Sequence, residues 1–90
     1  MKSLHCIVKG KVQGGNFQGW LHKEAEQLNI TGWVRNVADG EAEILAQGDP
    51  TDLKTFDGII RTKAPLPEVD EIRCDIVDHD KTFDKFEMRG

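Results

Sequence analysis

The sequence has no apolar run near the ~18 residues that a membrane-spanning helix requires. Its start, "MKSLHCIVKGKV", alternates in polarity and contains no long apolar stretch of the kind a secretory signal carries. A membrane span and a signal peptide are therefore not expected, and the cytoplasm is the default compartment. Cysteine is scarce: Cys6 and Cys74 are the only two, with neither metal-ligand spacing nor a close CxxC redox pair. Both stand in apolar, strand-like runs, where they read as reduced thiols serving as small core hydrophobes; sequence leaves their proximity open. Low-complexity tracts, linkers and internal repeats are absent too, so the 90 residues read as one domain.

What is present is 38% hydrophobic and 31% charged residues, the balance of a globular protein with a modest core. The net charge of −4 is uneven. Residues 1–45 carry five basic and five acidic side chains, whereas residues 46–90 carry seven and eleven. Between Lys9 and Gln18 there are two lysines, Lys9 and Lys11, and no acid. A locally positive segment in an acidic chain suits a small anion. It does not suit a nucleic-acid backbone, which calls for a basic face, and exposed aromatics at strand centres are not evident either. No nucleic-acid partner is expected.

Leu4, Cys6 and Val8 alternate along "LHCIVKGKV", the pattern of a half-buried strand. After a glycine-rich turn, Phe17, Leu21, Ala25 and Leu28 recur every three or four residues, one face of a helix over about 17–28 with Asn29 as its stop. "TGWVRN" and the alternating Ala42, Ile44 and Ala46 flank Asp39-Gly40, a hairpin signal. Pro50 and Thr51 open a second helix with Leu53, Phe56 and Ile60 on its buried side; Asp49 and Asp52 read as helix-start residues. Gly58 weakens this helix by up to ~1 kcal/mol relative to alanine. "KAPLPE" ends it. Ile72, Cys74 and Ile76 alternate again, and Phe86 and Met88 share one side of a short final run. The order βαββαβ plus a short C-terminal strand predicts an α+β, ferredoxin-like two-layer sandwich, with two helices on one face of an antiparallel sheet.

Two elements could carry chemistry. "GKVQGGNFQGW" feeds a strand through Gly14-Gly15 into a helix. Such a turn can aim backbone N–H groups at an anion, helped by the helix dipole, or it can be an ordinary tight connection. Asn36, at a strand end, offers one donor and one acceptor able to orient a water; equally, asparagine is a common turn-former. His5, His22 and His79 share no spacing, and no serine or cysteine has an evident base partner, so a catalytic histidine, a metal site and a covalent nucleophile are not expected. Arg35, Trp20 and Trp33 read as solvated or packing residues.

Taken together, these segments resemble the acylphosphatase family over nearly the full length. The carriers are "VKGKVQGGNFQ", against a family pattern close to VxGxVQGVxFR, Ala25 and Leu28 in the first helix, "GWVRN" followed by "DGEAEILAQG", and the closing "FDKFEMRG". The resemblance implies a monomeric ferredoxin-like sandwich that hydrolyses the carboxyl–phosphate bond of small acyl phosphates, such as acetyl phosphate or 1,3-bisphosphoglycerate, without metal or cofactor. It implies a phosphate cradle formed by Gln13, Gly14, Gly15, Asn16 and Phe17. Gln18 stands at the position of the family's phosphate-binding arginine, and Asn36 matches the residue that positions the attacking water.

Two positions depart from the pattern: Gly15 for valine and Gln18 for arginine. Glutamine keeps hydrogen-bonding capacity but loses the fixed charge and planar fork that match two phosphate oxygens. Lys9 and Lys11 are the candidates to compensate. The expectation is weak or lost hydrolysis on an intact fold; the alternative is a non-catalytic anion-binding or partner-regulating module built on the same scaffold.

Overall fold

Strand pairing sets the architecture. In the computed structural model, which describes residues 2–10, 16–38, 40–63 and 69–89, five strands and two helices follow in the order β1 (Lys2–Gly10), α1 (Asn16–Gln27), β2 (Thr31–Ala38), β3 (Glu41–Gln47), α2 (Pro50–Lys63), β4 (Val69–Asp78) and β5 (Phe86–Arg89). The strands form one sheet in the order β4-β1-β3-β2-β5. The first four pair antiparallel, as expected. The terminal strand does not: β5 runs parallel to β2, with Gly32 opposite Phe86 and Arg35 opposite Arg89. A parallel neighbour needs a crossover. Between β2 and β5 it runs through β3, α2 and β4, and residues 79–85 complete it, leading from β4 at one edge to β5 at the other, with Gln47 Nε2 donating to the Lys81 carbonyl at 2.7 Å along the way.

Alternation decides what each strand buries. Leu4, Cys6 and Val8 of β1, Val34 of β2 and Ala42, Ile44 and Ala46 of β3 point into one core with Phe17, Leu21 and Ala25 of α1 and Leu53, Phe56 and Ile60 of α2. Each large apolar side chain fully buried in this way contributes about 1.5–3 kcal/mol relative to exposure. On β4 the alternation is present but its burial is not: Ile72 and Cys74 are only partly covered and Ile76 is 59% exposed. The strand lies at the sheet edge, beyond the full cover of the helices. Met88, on the same side as the buried Phe86, is likewise exposed near the end of its edge strand.

Local chemistry fixes the element ends. Asn29 adopts φ 55° after α1; Ile30 N–H donates to the Ala25 carbonyl (2.9 Å) and Asn29 N–H to that of Glu26 (3.2 Å), the paired bonds of a Schellman cap. Thus the expected stop is there, and it closes α1 through a left-handed asparagine. Gly40 (φ 75°) serves the β2–β3 hairpin, and its carbonyl accepts from Gly10 N–H at 2.8 Å. Gly32 is required for a closer reason: at φ 135° a Cβ would fall 1.9 Å from the Leu45 carbonyl oxygen. Among the described residues no helix is long and apolar enough to cross a membrane.

The cysteine reading is corrected. Cys6 and Cys74 are direct cross-strand partners on β1 and β4, with Cα atoms 4.1 Å apart, and they form a disulfide. They are not two separate thiols. Nothing in the linear spacing gives this away; it follows from the register that places β4 beside β1.

Candidate functional site

The far ends of β1 and β2 and the start of α1 meet at one end of the sandwich. Val8 pairs with Ala42, and Ala42 pairs with Asn36 on its other side, so only β3 separates Asn36 from the end of β1. Asn36 follows the fully buried Val34 by two residues and therefore stands on the helix-facing side. The β2–β3 register shifts between Asn36 and Ala38, which ends the regular ladder there. The Asn36 Oδ1 atom is buried and has no hydrogen-bond partner among the described residues.

Gln18 reaches the same end from α1. It belongs to the first turn, is only 9% exposed, and its Nε2 donates to the Arg89 carbonyl oxygen at 3.4 Å. Arg89 is the register partner of Arg35, the residue before Asn36. The chain of neighbours Gln18, Arg89, Arg35 and Asn36 thus ties the helix start to the strand-borne amide. The partner of Gln18 was not anticipated: a backbone carbonyl 71 residues away has no sequence signal.

The start of α1 favours an anion through its backbone. The first turn of α1 carries no acidic residue, so the partial positive charge of the helix end is uncompensated. The N–H groups of that turn lack intrahelical acceptors by construction. Among the described residues, Lys9, Arg35 and Arg89 make their contacts elsewhere. Lys9 lies on the opposite, open face of the sheet, 3.4 Å from Glu41 and 3.7 Å from Glu71. Arg35 is on that face too: its Nε and Nη2 contact Glu43 Oε1 at 2.8 and 2.7 Å, and its guanidinium lies 4.9 Å from the Trp33 ring. Arg89 covers the same ring at 5.4 Å. Glu43 also accepts from His5 at 2.7 Å. Burial pushes the Glu43 carboxyl upward, but the hydrogen bonds and charges of His5 and Arg35 outweigh it and hold the group below its usual value.

Among the expected cradle residues, Gln13, Gly14 and Gly15 lie outside the described residues, as do Lys11 and the side chain of Asn16. Phe17 is described and its ring is in the core, 6.1 Å from that of Trp20, leaving only its backbone facing the helix end. Gln18 and Asn36 are brought to one end of the fold. The histidines are dispersed: His5 bonds Glu43, His22 lies 3.2 Å from Glu26, and His79 accepts from the Lys81 N–H at 3.2 Å. Among the described residues no group of three or more histidine, cysteine, aspartate or glutamate side chains is placed to hold a metal ion.

The order of strands and the two helices on one face define a ferredoxin-like α+β sandwich. Comparison with known proteins narrows this class. The acylphosphatase family model matches residues 4–88. The acylphosphatase of Treponema denticola is 38% identical over 77 residues, 86% of this chain and 82% of that protein. That of Thiobacillus denitrificans is 35% identical over 90 residues, covering 100% and 99%. The crystal structure of acylphosphatase from Bacillus subtilis superposes with a TM-score of 0.88 at 30% identity, over 100% of both chains. The chain belongs to the acylphosphatase family, whose activity is the hydrolysis of acyl phosphates.

Proposed function

We propose that this protein hydrolyses acyl phosphates slowly, with phosphate held by backbone amides at the start of α1, a water oriented by Asn36, and Gln18 in place of a cationic clamp. In this reading Gln13, Gly14, Gly15, Asn16 and Phe17 supply the cradle. The water oxygen attacks phosphorus opposite the acyl oxygen, the bond to that oxygen breaks, and the carboxylate leaves with the electron pair. A carboxylate is a stable anion at neutral pH and needs no proton donor to depart. The work of such a site is positioning and charge stabilisation.

The observation that carries the reading is the state of Gln18: buried, neutral and already donating to Arg89. Its Nε2 has two N–H groups, so one remains for a phosphate oxygen, against the five of a guanidinium. The commitment of Lys9 to Glu41 and Glu71 supports the same conclusion, because the lysine that precedes the loop on β1 faces away. The unpartnered Oδ1 of Asn36 supports its role, since a buried acceptor at the end of a strand is a ready partner for a water hydrogen.

The test is benzoyl phosphate turnover and phosphate affinity of the protein and its Asn36→Ala variant. Residual turnover that falls ~10²-fold or more in the variant, with phosphate affinity changed less than about threefold, supports the assignment. Equal turnover in the two proteins contradicts it. Phosphate binding without turnover in either protein points instead to the non-catalytic anion-binding module, which the neutral Gln18 favours.

A further inference from the structure

The geometry points to Cys74 as a thiol-exchange site, opened from the outer edge of the sheet, where a small carboxylate-bearing thiol adds as a mixed disulfide. Exchange requires a thiolate to approach one sulfur on the side away from the other. The two sulfurs of this bridge differ sharply in that respect. Cys6 is 0% exposed, and beyond it across the sheet stands Ile44, its partner on β3, which is also fully buried. The line from Cys74 into Cys6 therefore continues into packed core. The reverse line, from Cys6 through Cys74, points to the sheet edge, because among the described residues no strand lies beyond β4.

A cavity of about 510 Å³ opens at that edge. Cys74 lines it and Cys6 does not. Leu4, Leu53 and the exposed Ile76 form its apolar walls. Lys54 also lines it, as do Lys2, paired with Asp78 at 3.1 Å, and Asp57, paired with Arg61 at 2.7 Å. The Lys54 ammonium beside an apolar recess suits a small thiol that itself carries a carboxylate.

The chemistry balances without a further reagent. The incoming thiolate bonds to Cys74 Sγ, the bond between the two cysteine sulfurs breaks, and Cys6 leaves as a thiolate. It then takes up a proton, because the apolar surroundings of Cys6 disfavour charge. A second molecule of the thiol can attack the external sulfur of the adduct, leaving a reduced Cys74 and an oxidised thiol dimer. Whether the bridge or the adduct predominates then depends on the thiol poise of the compartment.

The experiment exposes the folded, oxidised protein to reduced glutathione, quenches with N-ethylmaleimide, and maps both cysteine peptides by mass spectrometry. Glutathione on Cys74 with maleimide on Cys6, in roughly tenfold or greater excess over the reverse arrangement, is expected. Ile76→Trp, at an exposed position on the groove wall, is expected to slow adduct formation several-fold in the folded state and not in urea. Equal adducts on the two cysteines, adducts mainly on Cys6, no adduct at all, or a protein isolated with both thiols free would each overturn the assignment. The single-cysteine variants provide a check that does not need the bridge. Cys74 in the Cys6→Ser variant should react with oxidised glutathione at least tenfold faster than Cys6 in the Cys74→Ser variant when folded, and equally fast in urea.

Discussion

Gln18 of the first helix and Arg89 of the last strand are joined by a single long hydrogen bond, Nε2 to carbonyl oxygen at 3.4 Å. The contact spans nearly the whole chain and sits at the start of α1, where the family's substrate phosphate is expected to lie. It makes the neutral amide part of the packing between α1 and β5. Truncating it by Gln18→Ala removes this bond and buried volume, and a loss of about 1–2 kcal/mol is expected in urea unfolding. A loss under about 0.3 kcal/mol would show that Gln18 has no structural part.

The bridge between Cys6 and Cys74 closes a long covalent loop, with a sequence separation of 68 residues. Chain-entropy reasoning assigns such a loop about 4 kcal/mol. Reduction should lower the unfolding free energy by roughly that amount, a large part of what a domain of this size has. The measurement is urea denaturation with and without reductant. Coincident curves would contradict it.

Glu43 gives the acid limb of stability a specific source. Its carboxyl is held below the usual value by His5 and Arg35 despite partial burial. A depressed folded-state value means the network contributes fully above the unfolded value, about 4.3, and its contribution is lost as pH falls from there through the folded value. The Glu43→Gln variant should therefore be less stable than the parent near neutrality, and the difference should shrink on acidification below about pH 4.3. A difference that stays constant from neutrality down to strongly acidic pH would rule the network out as the cause.

Two glycines predict opposite outcomes from the same substitution. Gly58 stands within α2 with open space where a Cβ would sit, so Gly58→Ala should stabilise by about 0.5–1 kcal/mol. At Gly32 the positive φ and the Leu45 carbonyl both forbid a side chain, and Gly32→Ala should cost at least about 3 kcal/mol. Thermal melts of the two variants on either side of the parent would bear this out; shifts in the same direction would not.

Most of the architecture was legible because it rests on local periodicity. The alternation of Leu4, Cys6 and Val8 and the stripe of Leu53, Phe56 and Ile60 report burial directly, and both are buried. What failed was whatever depended on which strand lies next to which. The alternation of Ile72, Cys74 and Ile76 is real, but an edge position leaves it half covered. The parallel pairing of β5 with β2 and the Cys6–Cys74 bridge are consequences of strand order, which no window of sequence contains. At the site, the meeting of Gln18 and Asn36 at one end follows from the element order, whereas the removal of Lys9 to the open face follows from the parity of β1: Leu4, Cys6 and Val8 point in, so Lys9 points out. That last step could have been taken from the alternation alone.

On a phosphate cradle of the family's type, the missing charge at Gln18 is what we propose limits turnover. The most direct measurement is kcat/KM for benzoyl phosphate of the protein against its Gln18→Arg variant under one set of conditions. A gain of ~10²–10³ or more in the variant is predicted, the scale of a preorganised donor or a charged clamp in phosphoryl transfer. A parent protein that already turns over as fast as the variant would contradict it.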